Sequence, residues 1–207
     1  MSPGPTFDRV YLALKEQLMS GRFTPGDHLE PMTIGEELNA SITPVRDALH
    51  RLVGERLVEA PRNDGFRVPA PTEAELRDLY GWNCRLLDLA LGRRASARVA
   101  LLGTGSAEPP DIATFMAADL FRLIAHRSGS PEHERAVENL NDRLGALRVA
   151  EQRLFEDAAE EFSSLAAAFR ESDIAALRRG VGAYHRRRQR RVPEILVAAR
   201  TLVEQQP

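Results

Sequence analysis

Hydrophobic and polar positions along the chain fall into two stretches with different texture. Over residues 7–20, Val10, Leu14, Gln17 and Leu18 follow a 3.6-residue period with Tyr11 and Leu12 beside them, which predicts an amphipathic helix. Gly21 stands where that helix should stop, and Phe23-Thr24-Pro25-Gly26 reads as a turn, since proline presets φ and glycine supplies the reversed one. Ile34 to Leu38 predicts a short second helix closed by Asn39, a residue that tolerates left-handed backbone. A third helix is expected from about Pro44 to Glu55, with Thr43 as its cap and Val45, Ala48, Leu49 and Leu52 as its apolar face. Leu57–Ala60 and Phe66–Val68 flank the polar turn Pro61-Arg62-Asn63-Asp64-Gly65, a β-hairpin signal.

After the stiff segment Pro69-Ala70-Pro71 no strand pattern appears. Thr72-Glu73-Ala74-Glu75 resembles a capping box opening a long helix that carries Leu76, Leu79, Leu86, Leu87 and Ala90. Gly103 to Pro110 is a Gly/Pro-rich break. Helices are expected beyond it at about 111–127, 131–155, 156–171 and 173–191, with a last one after Pro193. The predicted fold class is mainly α: an N-terminal winged helix-turn-helix over residues 1–70, then an all-α bundle over 71–207.

Composition bounds the function. The 207 residues are 43% hydrophobic and 28% charged, which suits a globular protein rather than a disordered one. The formal net charge is −2, and basic residues within 1–70 (Arg9, Lys15, Arg22, Arg46, Arg51, Arg56, Arg62, Arg67) do not outnumber acids, so charge alone does not point to nucleic acid. The single cysteine, Cys84, excludes an intrachain disulfide and a cysteine-cluster zinc site. Met1–Pro5 lacks the charged and apolar regions of a signal peptide, and no apolar run is long enough to span a bilayer. A cytoplasmic protein without a membrane partner is expected. No nucleophile–base pair or Gly-rich phosphate loop stands out, so no enzyme is expected.

Three helices and a hairpin suit DNA, because the major groove admits one helix whose N-terminal side chains reach base edges. Ser41 and Thr43 at the turn can donate to phosphates. Arg46, in the first turn and off the apolar face, can bond a guanine bidentately, and His50 lies one turn further. Arg62, Gly65 and Arg67 belong to the hairpin, where the arginines can track the backbone or enter a minor groove. The same three-helix unit also serves as a dimerisation module, and Arg46 then only pairs with surface carboxylates.

The run from Val10-Tyr11-Leu12-Ala13-Leu14 through Gly21-Arg22-Phe23-Thr24-Pro25-Gly26, Leu29-Glu30 and Ile34-Gly35-Glu36-Glu37-Leu38 to Ser41-Ile42-Thr43-Pro44-Val45-Arg46-Asp47-Ala48-Leu49-His50-Arg51-Leu52 resembles the GntR family of bacterial regulators. The resemblance continues through Leu57-Val58 to Gly65-Phe66-Arg67-Val68, where the family has its wing, and covers about the first third of the chain. It implies a homodimer on a short palindromic operator of double-stranded DNA, usually a repressor released by a small molecule. Two positions depart from the family pattern. Ile42 stands where an arginine is common, and Met32 where another basic residue is frequent.

The C-terminal half is similar to the FCD-type effector domain, through Arg85-Leu86-Leu87-Asp88, Phe121–Ala125 with Ser128-Gly129-Ser130, Glu161-Phe162, Ser172-Asp173 and His185. Such domains often hold a divalent metal with one Asp and three His. The matching positions here are Ala118, Arg122, Phe162 and His185, so one ligand type of four survives and neither a metal nor another cofactor is expected. Asp119 is one residue from the expected acid, a rotation of ~100° on a helix, and His126 and His133 do not restore the spacing. Arg85, Arg122, Arg148 and His185 are the candidate ligand-binding residues, since guanidinium matches the carboxylate of a small acidic metabolite. The bland alternative pairs these arginines with helix carboxylates and leaves the domain as a dimerisation or protein-interaction module. Tyr184–Arg191, with arginine at 186, 187, 188, 190 and 191, is either a solvated helix end facing acidic patches such as Glu156-Asp157 and Glu160-Glu161, or a second nucleic-acid contact.

Overall fold

The computed structural model describes residues 5–92 and 117–201. The Gly103–Pro110 break and the expected helical residues 111–116 lie outside them. Among the described residues there are ten helices: α1 Pro5–Met19, α2 Pro31–Glu37, α3 Ile42–Gly54, α4 Glu73–Gly92, α5 Ala117–His126, α6 Pro131–Arg143, α7 Gly145–Leu154, α8 Ala158–Arg170, α9 Ile174–Arg190 and α10 Val192–Arg200. The fold is mainly α, as the periodicity predicts.

Two compact units are present. One comprises residues up to Thr72, Asp142–Glu151 and the segment from Ile195; the other comprises Glu73–Asn141 and Gln152–Glu194. The first therefore takes in two segments of the C-terminal half, which hydrophobic periodicity cannot reveal because it reports burial and not the partner.

The core of the first unit follows from the stripes read in the sequence. Val10, Tyr11, Leu14 and Leu18 of α1 bury against Val45, Ala48, Leu49 and Leu52 of α3, and Ile34, Leu57, Val58 and Phe66 close the cluster. Each large aliphatic buried here contributes roughly 1.5–3 kcal/mol relative to exposure. Gly21, at φ 77°, ends the first helical segment, and Gly26, at φ 97°, turns the chain after Pro25. The carboxylate of Asp27 locks that turn by accepting from the Thr24 amide at 2.7 Å and its hydroxyl at 2.8 Å.

Three local expectations are corrected. Helix α2 begins at Pro31, whose missing N–H costs nothing in a first turn, and not at Ile34. Helix α3 begins at Ile42 with Ser41, not Thr43, in the extended capping position; Pro44 then falls on the third helical residue, still within the turn whose amides have no helical acceptor. The predicted hairpin strands reduce to single bridges. Glu59 and Arg67 exchange backbone bonds of 2.8 and 2.9 Å, and Arg67 also bridges to His28. The chain at 26–29 completes this pairing, with Leu29 N–H donating to Phe66 O at 2.8 Å and Val68 N–H to Asp27 O at 2.9 Å. Segments of three or four residues have too few bonds to register as strands, yet the turn between them is held on both sides.

In the second unit α4 packs against α5 and α9, and α9 packs against α8. Leu86, Leu87, Ala90, Phe121, Ile124, Val137, Leu140, Leu165, Leu177, Val181 and Tyr184 form its core. Helix α9 opens on Asp173, whose side chain accepts from the Ala176 amide at 2.9 Å. The single helix expected over 131–155 is two, α6 and α7, and α10 starts at Val192 with Pro193 in its first turn.

Candidate nucleic-acid interface

Helix α3 presents its exposed side because its other side is fully spent on the core. Val45, Ala48, Leu49 and Leu52 are buried, which turns Ile42, Thr43, Arg46, Asp47 and His50 outward as one face. Ser41 makes no side-chain capping bond. Arg46 makes no hydrogen bond or ion pair with any described residue, so its five donors point to solvent without a competing acceptor. The surface carboxylates that were the bland alternative for Arg46 do not take it. The imidazole of His50 packs edge-on against Phe66, centroids 5.0 Å apart, which fixes the ring between α3 and the hairpin.

The turn before α3 is held by several independent contacts. Asn39 adopts φ 48°, and the Ala40 amide donates to Gly35 O at 2.9 Å. The Arg9 guanidinium caps the end of α2 by donating to Leu38 O at 2.7 Å and Asn39 O at 3.2 Å. A methyl group at Gly35 would lie 2.8 Å from the Ala40 carbonyl oxygen, so the chain passes too close there for any side chain.

The wing divides its arginines. Arg62 is exposed and makes no ion pair with a described residue. Arg67 is committed: its Nε donates to Glu59 at 2.9 Å and its guanidinium lies 3.8 Å from Asp64. Gly65 is exposed at φ 67° with open space around it, so backbone conformation and not room explains the glycine. Sequence reasoning passed over Asp47 and Ile42 as members of the exposed face. The 3.6 period counted back from Val45 and Ala48 carries that signal. A carboxylate there can accept from a cytosine amino group, and an exposed aliphatic can meet a thymine methyl. It also passed over Arg9, for which no local signal exists, because its acceptors lie about thirty residues away.

The four expected effector residues differ in their surroundings. Arg85 is exposed on α4. Arg122 is exposed and pairs with Asp119 at 3.0 Å and Glu138 at 3.8 Å. Arg148 is buried and belongs to the first unit, whereas the other three belong to the second. His185 is buried with both ring nitrogens engaged, Nδ1 at 2.8 Å from Val181 O and Nε2 at 2.9 Å from Asn83 Oδ1, and it stacks on Phe121 at 5.4 Å. Of the metal-position residues, Ala118 offers its carbonyl to Asn141 Nδ2 at 2.9 Å, and Phe162 packs on the core. His133 Nε2 is 2.8 Å from Leu86 O, and His126 lies 3.2 Å from Glu134. Among the described residues no three His, Cys, Asp or Glu side chains group as metal ligands.

Helices α1–α3 on one core, an α3 whose exposed face starts at its N-terminus, and a hairpin seated beside it define a winged helix-turn-helix. Residues 6–68 match the model of the bacterial regulatory proteins of the gntR family. The HTH-type transcriptional repressor GlaR of Escherichia coli K12 is 32% identical over 87 residues, covering 40% of each protein. The HTH-type transcriptional regulator McbR of the same organism is 31% identical over 144 residues, 64% of this chain and 65% of McbR. The chain thus spans about two fifths of GlaR and just under two thirds of McbR. These relatives are transcription regulators and not enzymes. The solved structure of E. coli McbR/YncC superposes with a TM-score of 0.63 over 92% of this chain and 98% of that one, at 22% identity. A putative GntR regulator from Rhodococcus sp. RHA1 gives 0.68 over 90% and 97%, at 19% identity. These two likenesses speak to the fold. No helix among the described residues is long and apolar enough to cross a membrane.

Proposed function

We propose that this chain is a homodimeric transcription regulator, acting as a repressor on a palindromic operator. Residues 1–70 bind the duplex and residues 71–207 form an FCD-type domain that dimerises and responds to a small acidic metabolite. Helix α3 enters the major groove, Arg46 reads a base edge, and Ser41 and Thr43 donate to phosphates at the entry to the helix. Arg62 follows the backbone from the wing, while Arg67 chiefly holds the wing's shape through Glu59.

The observation that carries this reading is Arg46 itself. A solvated arginine left without a carboxylate on the first turns of α3, between exposed Thr43 and His50, is what a duplex requires and what a purely dimerising surface does not. The repressor sense rests on the likeness to GlaR. Selection of bound duplexes from a random pool tests the proposal. It predicts an enriched inverted repeat bound by two chains. Enrichment of no sequence, or binding by a single chain, would contradict it.

A second reading of the C-terminal half has its own support: Arg122 is tied to Asp119 and Glu138, and the His185 ring is enclosed. On this reading the bundle only dimerises, and no small acid changes operator binding.

A further inference from the structure

The second unit contains a cleft of about 500 Å³ lined by Phe155, Ala183, Arg186, Arg187, Arg190 and Arg191. That volume lies within the range of about 300–1,000 Å³ that small-molecule sites occupy. Four of its six walls are arginines, an unusual density for an ordinary surface hollow. The spacing explains their convergence, because residues 183, 186, 187, 190 and 191 share one face of α9 and its end.

Their partners differ in a way that matters. Arg187 is bound by Asp157, with Nη1 donating at 2.9 Å, and lies 3.8 Å from Glu161. Arg191 pairs with Glu194 at 2.7 Å. Arg186 and Arg190 are exposed and make no ion pair with any described residue. Behind them Arg188 is buried, pairs with Glu161, and stacks 3.5 Å over Tyr184 and 4.8 Å over Phe155. Arg187 lies 4.5 Å over the Phe155 ring. The floor is therefore packed and stiff, while two guanidiniums at the mouth are free. Arg186 and Arg190 have no carboxylate partner among the described residues, so the mouth of the cleft is positive. The end of α9 gives an anion no help, since its carbonyls carry negative partial charge, and the side chains must supply the whole attraction.

We propose that this cleft binds a compact anion with at least two acidic groups. Arg186 and Arg190 sit one turn apart, a rise of ~6 Å, and each can hold one carboxylate or phosphate bidentately. The ligand's skeleton lies against Ala183 and the methylene stems of Arg186 and Arg190. Arg187 can lend a further hydrogen bond by sharing itself between Asp157 and the ligand. This deepens the reading that a small acidic molecule regulates the chain, by placing that molecule here and not at Arg85, Arg122 or His185.

The test measures binding to the full chain without DNA, by calorimetry at fixed ionic strength, with citrate, inorganic pyrophosphate and acetate. Saturable binding of citrate or pyrophosphate is expected, and which of the two binds tells a carboxylate site from a phosphate site. Acetate should bind at least about tenfold more weakly, and Arg186→Gln/Arg190→Gln should cost the tighter ligand at least about tenfold. Arg85→Gln and Arg122→Gln should leave it unchanged. Both mouth arginines are exposed, so the double variant should keep the native circular dichroism spectrum. No saturable binding of either polyanion, equal binding of acetate, or equal affinity in the double variant would overturn the proposal. Binding that leaves operator affinity unchanged would support the cleft while removing the effector reading. Operator binding by a chain that takes up neither citrate nor pyrophosphate would overturn the cleft alone.

Discussion

Lys15, the sole lysine of the chain, places its Nζ 2.6 Å from Asp142 Oδ2 and 3.3 Å from Glu55 Oε2. Helix α1 is thereby joined to α3's C-cap residue and to the Asp142–Glu151 segment within one compact unit. Burial disfavours the ammonium charge, but Asp142 and Glu55 outweigh it and hold the group above its ordinary value. Tyr11 donates to the same Glu55 at 2.7 Å, and burial and that carboxylate push its hydroxyl upward as well. Lys15→Met should cost about 1–2 kcal/mol, between the worth of an exposed pair and that of a charge-assisted hydrogen bond. Both raised groups bind protons more tightly folded than unfolded. Their contribution is thus complete below the ordinary lysine and tyrosine range and lost as pH rises through the raised values. Urea denaturation should show a constant gap between native protein and Lys15→Met from neutral pH to about pH 9, shrinking above it. A gap that widens in alkali would refute the assignment.

Gly35→Ala should destabilise the first unit by about 1–3 kcal/mol, because the new methyl meets a backbone oxygen that cannot step aside as a side chain can. The Ala40 carbonyl belongs to the turn that aims α3, so operator affinity should fall further than global stability accounts for. Urea midpoints and operator titration on the same protein check both parts. An unchanged midpoint would mean that the α2–α3 turn has slack.

For His185 the expectation separates packing from ligand binding. The ring is buried between Phe121 and Tyr184 and bonded at both nitrogens, so His185→Ala leaves a cavity and removes the partner of Asn83 Oδ1. A loss of about 2–5 kcal/mol follows. Metal content by elemental analysis should be the same before and after the change. A drop in bound zinc, nickel or manganese in the variant would instead make His185 a ligand.

Much of the first unit was legible in the sequence, because its helices expose one face and alternate strictly. Val45, Ala48, Leu49 and Leu52 specify both the buried side of α3 and, by exclusion, the outward position of Arg46. Gly21, Gly26 and Asn39 take the left-handed backbone that their residue types suggest. The wing was harder, since a bridge between Glu59 and Arg67 depends on a third segment at 26–29 that no local pattern announces. Effector residues were the least legible. Whether an arginine faces a pocket or a carboxylate depends on neighbours far along the chain, as Arg122 with Glu138 and Arg187 with Asp157 illustrate. The Arg186–Arg191 run reads in sequence as a uniform charge block, yet its members range from buried Arg188 to exposed Arg186.

Because phosphate contacts release counterions, operator binding should weaken steeply as salt rises. Arg62→Ala should lower affinity for specific and random duplexes by similar factors and flatten that salt slope by about one contact. A change confined to the specific site would instead make Arg62 a base-reading or minor-groove residue.

The most direct test of the account is the affinity of Arg46→Ala for the selected operator and for random duplex, measured side by side at one salt concentration. If Arg46 reads a base edge, the loss is about 1–3 kcal/mol, roughly five- to 150-fold, on the operator, with a much smaller change on random DNA. Equal losses on both would make Arg46 a phosphate contact, and no loss on either would contradict the placement of α3 in the major groove.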